Sequence, residues 1–361
     1  AVIVIGAKFV IPTIHELVKK GLKNLIIITA GFKESGHDAE EEEIGRLAAT
    51  HNFNVIGPNC LGFYANEEKL NITFGTGMVH DGSHAFVSQS GAVLASLMDR
   101  AAELGLGFSH LISVGNAVDL RSAEIIPMLN NAKSCESIAL YLEGVARGKS
   151  LCESIRNCNK PIYLFKAAKS EAAKKAAFSH TGNLSGNYAM FNGIMQSLGV
   201  KVVNTLDSLL FAPLFKDVKN IAVITNAGGP GTVLTDAIAA RKKELYELSE
   251  AQKSELDSVL PPMWSHNNPI DVIGDALPDR YESALKIVDT FPNLDLIYML
   301  ITPQDMTDAL GTVKILKQYT FKHKVVPILL GGENVKEARE YCLKEGILYF
   351  TSIAQACEFL G

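Results

Sequence analysis

The tetrapeptide Ser179-His180-Thr181-Gly182 is the part of this sequence best suited to chemistry. It follows a run rich in lysine and alanine and precedes a helix-like segment, which predicts a short loop. Imidazole is a good nucleophile near neutral pH, because much of it is unprotonated there. The hydroxyl groups of Ser179 and Thr181, with the small Gly182, can hold an anion. We interpret His180 as a candidate carrier of a phosphoryl group between two sites; a loop histidine bonded to backbone is the alternative.

A reacting histidine needs an acceptor on its second ring nitrogen, and Glu143 is the best candidate. Glu143 follows the apolar segment 138–142 and precedes Gly144. In a parallel sheet the carboxyl ends of the strands line the ligand crevice. Glu143 is therefore predicted to orient His180; without the histidine, a solvated turn residue would be the preferred interpretation.

Two further segments each join a strand to a helix through small or hydroxylic residues. The first N–H groups of a helix lack partners and the helix dipole adds partial positive charge, so such a loop can bind phosphate. A tight turn without a ligand is the alternative for either loop alone. The residues concerned are Ser88, Ser90 and Gly91 in the first loop and Gly228, Gly229 and Gly231 in the second.

The elements that must position these residues alternate between apolar strands and amphipathic helices, which predicts an α/β protein with parallel sheets. The first unit reads as βαβαβ, and Gly75-Thr76-Gly77 and Asp81-Gly82-Ser83 read as a linker after it. We predict three domains, at 1–78, 79–205 and 206–361. The strand candidates are 2–5, 24–29, 54–56, 84–88, 109–114, 137–142, 161–165, 221–225, 295–301 and 325–330.

The second and third domains are predicted to be two similar flavodoxin-like units produced by an internal duplication. Three landmarks recur in the same order, although each matches weakly residue by residue. The paired segments are 86–92 with 223–229, 115–119 with 267–271, and 138–142 with 296–300.

Composition indicates an ordinary globular protein of 361 residues, with 47% hydrophobic and 20% charged residues. The net charge of -5 argues against nucleic acid as a partner, and no apolar run is long enough to span a membrane. The six cysteines are scattered without a CxxC pair, so we predict no metal site and a reducing cytoplasm. Because the chain opens within an apolar strand, we expect residues to be missing before Ala1.

A loop at 57–62 is a weaker candidate for ligand binding. Asn59 can bond an amide of a ligand and Pro58 stiffens the turn, while Gly62 closes it. Lys8, after the first strand, could meet a phosphate. Catalysis by Cys60 is disfavoured, because no histidine or aspartate lies near it in sequence. Two charged groups are predicted to be merely solvated: the helix start 40–43, and the lysines Lys166, Lys169, Lys174 and Lys175 on a helix face.

Several motifs together resemble a known family. They are GPNCLGFYANEEKLNITF (57–74), FVSQSGAV (86–93), SVGNAVDL (113–120), YLEG (141–144), AAFSHTGNLSG (176–186), TNAGGPG (225–231) and PIDVIGDA (269–276). In this order they resemble the α subunit, or α portion, of the ADP-forming acyl-CoA synthetases (acetate–CoA ligase, ADP-forming), relatives of succinyl-CoA synthetase. The resemblance spans almost the whole chain.

The resemblance implies a Rossmann-like CoA-binding domain, lacking its first part here, followed by two flavodoxin-like domains. It implies that His180 is phosphorylated, that Glu143 orients it, and that the helix starts after Ser90 and Gly229 grip the phosphate. The CoA site implied by the family includes the region around Thr29 to Gly31 and the residues Lys8, Pro58, Asn59, Cys60 and Gly62.

The implied reaction converts acyl-CoA, ADP and phosphate to acid, ATP and CoA through an acyl phosphate and phospho-His180. The implied ligands are coenzyme A, phosphate and an acyl-CoA or carboxylic acid, with acetate as the default. ADP or ATP and Mg²⁺ are implied to bind an ATP-grasp β subunit or fused domain, which makes a hetero-oligomer the expected assembly. The alternative is a non-catalytic regulatory module of a lysine acetyltransferase; the intact SHTG sequence favours the enzyme. A dinucleotide-dependent oxidoreductase is disfavoured, because no GxGxxG follows a strand with an acidic residue further on.

Overall fold

The structure is a computed structural model that describes residues 1–75, 79–174 and 187–360. Tertiary contacts divide it into two compact units. The first unit comprises Ala1–Ala102 and Leu106–Pro213, and the second comprises Glu103–Gly105 and Leu214–Gly361.

The first unit opens with a three-stranded parallel sheet in the order β1-β2-β3. Its strands are β1 (Val2–Ile3), β2 (Asn24–Ile27) and β3 (Asn54–Ile56), and its helices are α1 (Val10–Lys19) and α2 (Asp38–His51). Short 3-10 turns at Ala7–Phe9 and Lys33–Ser35 follow β1 and β2. The apolar faces of sheet and helices close over Ile14, Leu25 and Ile44, each at most 1% exposed. This arrangement is the predicted βαβαβ unit.

A seven-stranded sheet forms the rest of the first unit, in the order β10-β9-β8-β6-β7-β4-β5. The strands are β4 (Gly62–Ala65), β5 (Leu70–Thr73), β6 (His80–Ser88), β7 (Gly107–Ser113), β8 (Ser137–Leu142), β9 (Ile162–Lys166) and β10 (Lys201–Val203). Numbered from β6, the five parallel strands run 2-1-3-4-5, which is the flavodoxin-like order. The hairpin β4–β5 adds to β7 in antiparallel fashion.

Helices cover both faces of this sheet, which explains why every residue of β8 is buried. They are α3 (Gly91–Glu103), α4 (Ser122–Asn131), α5 (Gly148–Arg156), α6 (Tyr188–Ser197) and α7 (Leu206–Phe211), and residues 171–174 add a helical turn. A short 3-10 turn at Ala212–Phe215 follows α7.

The second unit repeats the flavodoxin-like arrangement. Its sheet has the order β12-β11-β14-β15, with β13 beside β11 and a parallel bridge from Ile328 to Phe350. The strands are β11 (Asn220–Thr225), β12 (Glu244–Leu245), β13 (Ile270–Asp271), β14 (Leu296–Ile301) and β15 (Lys324–Leu329). The helices are α8 (Gly228–Ala240), α9 (Glu250–Asp257), α10 (Pro278–Val288), α11 (Ala309–Gln318), α12 (Lys336–Lys344) and α13 (Ile353–Glu358), with a 3-10 turn at Glu333–Val335.

The predicted α/β fold is confirmed, and all ten strand candidates coincide with observed strands. The predicted first domain, 1–78, includes the hairpin β4–β5, but hydrogen bonding assigns this hairpin to the second sheet. The linker predicted at Asp81-Gly82-Ser83 was wrong, because these residues belong to β6. A Cβ on Gly82 would lie 2.3 Å from the backbone of Gly107, so the strand requires glycine there. Among the described residues, no helix is both long and apolar enough to cross a bilayer.

Candidate active site

A cavity of about 500 Å³ in the first unit collects the ends of several strands and the loops that follow them. The segment after β2 contributes Ile28, Ala30 and Glu34, the loop after β3 contributes Asn59, Cys60 and Leu61, and the start of α3 contributes Gln89, Ser90 and Gly91. Asn116 follows β7 and Glu143 follows β8, and both also line it. The crevice therefore lies at the carboxyl edge of the sheets, where α/β proteins bind ligands.

The loop from β6 to α3 is shaped by its own hydroxyl groups. Ser88 is fully buried, and its Oγ donates to the carbonyl of Ser90 (2.7 Å) while accepting from the Ser90 N–H (3.1 Å). Ser90 in turn caps the helix, because its Oγ accepts from the N–H of Val93 at 3.3 Å. Ser90 and Gly91 face the cavity, whereas Ser88 supports the loop from beneath. The helix start is thus presented to the cavity with small residues in front of it.

Glu143 is fixed through its main chain. Gln89 Oε1 accepts from the N–H groups of Glu143 (2.6 Å) and Gly144 (3.0 Å), and Gln89 Nε2 donates to the Gly144 carbonyl (2.9 Å). Lys166 Nζ donates to the Glu143 carbonyl at 2.6 Å. The side chain has one described protein partner, the hydroxyl of Tyr141 at 3.5 Å from Oε1. Burial, with the nearby charge of Glu143, raises the pKa of Tyr141 to about 12, so this hydroxyl stays protonated.

The loop after β3 has a backbone that few sequences can adopt. The Gly57–Pro58 peptide is cis, Gly57 has φ +97°, and Asn59 has φ 57°. A Cβ on Gly57 would lie 2.4 Å from the Ile27 carbonyl, so glycine is needed there. Asparagine is among the residues that best tolerate the left-handed conformation. The loop brings Asn59 and Cys60 to the cavity wall.

Cys60 lines this cavity in an environment that disfavours its thiolate. Its side chain is 3% exposed, and its thiol donates to the Ile27 carbonyl at 3.2 Å. Burial raises the pKa of the Cys60 thiol to about 12, so the reactive thiolate is not formed near neutral pH. That Cys60 does not carry out catalysis stays a prediction.

Asn116 ties the two sides of the cavity together. Its Nδ2 donates to Glu34 Oε2 and to Glu41 Oε2, both at 2.6 Å, and its Oδ1 accepts from Asn59 Nδ2 at 3.2 Å. Burial opposes the charge on Glu34, but hydrogen bonds from Asn116 and from the Gly31 N–H outweigh it and lower the pKa of Glu34. Glu41 is 7% exposed, so the prediction of a solvated helix start at 40–43 was wrong for this residue.

The helix start predicted in the second unit has a different environment. Gly228 begins α8, and a Cβ there would lie 3.1 Å from Asp271 Oδ2. Gly231 packs closely, since its Cβ would lie 3.3 Å from the methyl group of Thr225, whereas Gly229 has open space. A carboxylate therefore already lies beside this helix start.

Family models match both flavodoxin-like regions. A succinyl-CoA ligase-like flavodoxin domain matches residues 81–214, and a ligase-CoA domain matches residues 221–358. The α subunit of acetate–CoA ligase [ADP-forming] II from Pyrococcus furiosus is 35% identical over 96% of this chain and 79% of its own length. This chain belongs to the ADP-forming acyl-CoA synthetase family.

Two other similar proteins are longer than this chain. The 4-hydroxybutyrate–CoA ligase [ADP-forming] of Nitrosopumilus maritimus is 32% identical over 97% of this chain, which spans 52% of that longer protein. The structure of the dinucleotide forming acetyl-coenzyme A synthetase 1 of Ca. Korarchaeum cryptofilum, in complex with phosphate and ADP, has a TM-score of 0.88 and 30% identity. The structural match includes all of this chain and 81% of the Korarchaeum chain.

The cavity of this synthetase-family chain brings together only part of the predicted site. Of the predicted residues, those that line it are Glu143, Ser90, Gly91, Asn59, Cys60 and, from the region Thr29 to Gly31, Ala30. Lys8 is exposed and packs on the Phe9 ring, and Gly62 lies in β4, where its Cβ would lie 2.0 Å from the Ile72 carbonyl. Pro58 takes part through its carbonyl, which accepts from the Asn116 N–H. Ser179, His180, Thr181 and Gly182 lie outside the described residues.

Several residues at the site were not predicted to contact it, among them Gln89, Asn116, Glu34 and Lys166. Gln89 and Asn116 lie inside the family motifs at 86–93 and 113–120. In each motif a polar amide stands between two small residues, and this pattern could have indicated a role at the site. Lys166 was wrongly predicted to be solvated; it ends β9 and is 5% exposed. A lysine that directly follows an apolar strand was the signal in that case.

Proposed function

We propose that this chain is the α-type part of an ADP-forming acyl-CoA synthetase. It converts acyl-CoA, phosphate and ADP to a carboxylic acid, CoA and ATP. In the first step, phosphate displaces CoA from the acyl group and an acyl phosphate forms. His180 then attacks phosphorus, the bond from phosphorus to the acyl oxygen breaks, and the carboxylate leaves. Phospho-His180 finally gives its phosphoryl group to ADP.

The observation that carries this proposal is the shared cavity. The loop with Asn59 and Cys60, the start of α3 at Ser90 and Gly91, and Glu143 all open into the same 500 Å³ space. The cavity walls combine apolar groups such as Leu61 with amides such as Asn116, which suits the thioester end of an acyl-CoA chain. A helix start with small residues suits the phosphate. Thioester and phosphate would thus meet within one crevice.

The chain's own groups have separable roles in this proposal. The free N–H groups at the start of α3 bind phosphate and stabilise the charge that develops on it. Glu143 accepts a hydrogen bond from the imidazole of His180, which leaves the other ring nitrogen free to attack. The fixed, capped loop from Ser88 to Gly91 holds the donors in place, which limits reorganisation during transfer.

The nucleotide step needs further protein. We propose an ATP-grasp β subunit or fused domain that binds ADP or ATP with Mg²⁺, in a hetero-oligomer or a longer chain. Two relatives support these alternatives: the Pyrococcus protein is named as an α subunit, and the Nitrosopumilus ligase is a longer single chain. Acetate is the proposed acid, because acetate ligases are among the similar proteins. Six free cysteines agree with a reducing cytoplasm.

Labelling of His180 tests the proposal. The chain, in complex with its ATP-grasp partner or as the full-length fusion, is incubated with γ-labelled ATP and Mg²⁺. We expect acid-labile, alkali-stable label that disappears in His180→Ala and is discharged by acetate with CoA. His51→Ala, at an exposed helix end, is the matched control.

Wild-type protein that takes up no label, with a partner shown to bind ATP, contradicts the catalytic proposal. Ligand binding without labelling would then favour the regulatory module of a lysine acetyltransferase. Label that persists in His180→Ala would instead place the phosphoryl group on another residue.

A further inference from the structure

Lys166 lies at the carboxyl end of β9, and its side chain is directed to the main chain beside it. The residue is 5% exposed, and Nζ donates to the carbonyls of Glu143 (2.6 Å) and Ala167 (2.7 Å). Its surroundings are largely apolar, since it also lines a second cavity of about 370 Å³ with Leu151 and Phe191. A buried amine of this kind needs its hydrogen bonds, because unpaired donors are costly away from water.

The two contacts on Glu143 are complementary. Gln89 binds the N–H of Glu143 at 2.6 Å, and Lys166 binds its carbonyl at 2.6 Å. Both neighbouring peptide planes are therefore anchored by side chains, so the direction of the Cα–Cβ bond is fixed. The only described side-chain bond of Glu143 itself is the long contact with Tyr141. The carboxylate is aimed by its backbone rather than by groups around it.

The flavodoxin-like fold does not require a lysine at this position. In the first unit Leu142 pairs with Lys166, and Glu143 follows. In the second unit Ile301 pairs with Leu329, and Thr302 follows. The structural equivalent of Lys166 is thus Leu329, which is fully buried. Burial and the charge of Lys174 lower the pKa of Lys166 to about 8, although Glu143 acts in the opposite direction. Burying this amine in its charged form therefore reduces the stability of the fold.

We propose that Lys166 is a positioning residue for the phosphoryl-transfer step: by holding the Glu143 carbonyl, it aims the Glu143 carboxylate at the reacting histidine. This inference rests on the proposed function, in which Glu143 orients His180. Lys166 itself touches no substrate. A neutral amine has two N–H groups and an ammonium three, so either form satisfies the two carbonyls.

The test compares Lys166→Met with Lys160→Met in the complete complex or full-length fusion. Lys160 is a matched control, because its Nζ also donates to two carbonyls, those of Leu129 and Ala132, at 2.7 and 2.6 Å. We expect Lys166→Met to slow single-turnover labelling of His180 roughly tenfold or more, by misplacement of Glu143. Lys160→Met keeps the wild-type rate, and Lys166→Arg restores part of the loss. In a Glu143→Ala background, Lys166→Met has no further effect.

Hydrogen exchange of the peptide covering Glu143 and Gly144 provides a readout that does not depend on activity. We expect faster exchange in Lys166→Met than in wild type or Lys160→Met. Unchanged exchange, or a labelling loss that is additive with Glu143→Ala, overturns the role of Lys166 while leaving the proposed function intact. Wild-type protein without label overturns the proposed function, and exchange alone then decides whether Lys166 holds Glu143.

Discussion

The turns β6–α3 and β11–α8 are built by the same hydrogen bonds in the two units. Ser88 Oγ donates to the carbonyl of Ser90 and accepts from its N–H, at 2.7 and 3.1 Å. Thr225 Oγ1 does the same with Ala227, at 3.2 and 3.1 Å. In both units a hydroxyl at the last strand residue closes the turn before the helix begins. This shared device supports the interpretation of the two units as copies of one ancestral fold.

The next residue in each turn is an amide that grips the neighbouring strand end. Gln89 binds Glu143 and Gly144 through three hydrogen bonds. Asn226 Oδ1 accepts from the N–H and the hydroxyl of Thr302, at 3.0 and 2.9 Å, and its Nδ2 donates to the Thr302 carbonyl at 3.0 Å. The scaffold is the same, but the gripped residue is an acid in one unit and a threonine in the other.

The comparison indicates that the chemistry proposed for the first unit depends on positions that the fold leaves free. Glu143 and Lys166 stand where the second unit has Thr302 and Leu329. Neither pair alters strand order or register. Exchanging or deleting these residues is therefore expected to separate activity from stability.

The largest effect is expected for Glu143→Ala compared with Thr302→Ala. Loss of the acid leaves His180 without its proposed orienting partner, and labelling is expected to fall roughly a hundredfold or more. Thr302→Ala removes a hydroxyl from the equivalent position and is expected to keep most of the rate. Single-turnover labelling with γ-labelled ATP measures both. Equal losses in the two variants would show that the acid has no special role.

A smaller loss of rate is expected for Gln89→Ala compared with Asn226→Ala. Both variants lose an amide that bonds a strand end, so thermal or urea unfolding should show each destabilised by about 1–3 kcal/mol. Only Gln89→Ala frees the backbone of Glu143, and we expect its labelling rate to fall roughly tenfold. If Asn226→Ala slows labelling as much, the two turns contribute equally and the proposed asymmetry is wrong.

Sequence patterns predicted the strands well because buried parallel strands are continuous apolar runs. They missed five short strands, β4, β5, β10, β12 and β13, each of two to four residues. Such segments carry too little periodicity to stand out. The hairpin β4–β5 was further hidden because its place is set by pairing with β7, which lies far away in the chain.

The first pair of segments predicted to be equivalent agrees with the strand register, and the second pair does not. Ser88 and Thr225 are equivalent by their bonds and by their offset in sequence. The segment 115–119 follows β7, whereas 267–271 includes β13, where Asp271 pairs with Thr225 as Ser113 pairs with Ser88. The third landmark is displaced by one residue, since register equates Tyr141 with Leu300. Register is set by hydrogen bonding between neighbouring strands, and comparing two sequence segments gives no information about that pairing.

A residue of the candidate site could be predicted only where its type and its place in the sequence were sufficient to indicate its role. Glu143 and the small residues near Ser90 stand out because of their place after a strand. Lys166 also follows a predicted strand, but a lysine there is usually solvated, and its burial depends on helix α6 and on the Glu143 carbonyl. The contacts that fix the site are long-range in sequence, so the residue type alone gave the wrong environment.

Two glycines, one in each unit, are expected to differ in what they contribute to stability. Gly115 has φ +56°, and a Cβ there would lie 2.2 Å from the Pro58 carbonyl, so Gly115→Ala should cost at least about 2 kcal/mol. Gly229 has open space, and Gly229→Ala should change stability by less than about 1 kcal/mol. Urea unfolding measures both. A neutral Gly115→Ala would mean that the loop can move away from Asn59 without cost.

The smallest expected effect is on the pH dependence of stability. Lys166 titrates, whereas Leu329, its equivalent in the second unit, has no titrating group. Burial lowers the folded-state pKa of Lys166 from 10.5 to about 8, so between these values the unfolded chain binds more protons. Stability from this group therefore rises with pH from about 8 to about 10.5 and is lowest below 8. We expect urea unfolding to show a larger difference in unfolding free energy, wild type minus Lys166→Met, at pH 10 than at pH 7.5. Other titrating groups, including the buried Lys324, are common to both proteins and cancel in this difference. Parallel curves for wild type and Lys166→Met would mean that the pKa of Lys166 is not lowered in the folded protein.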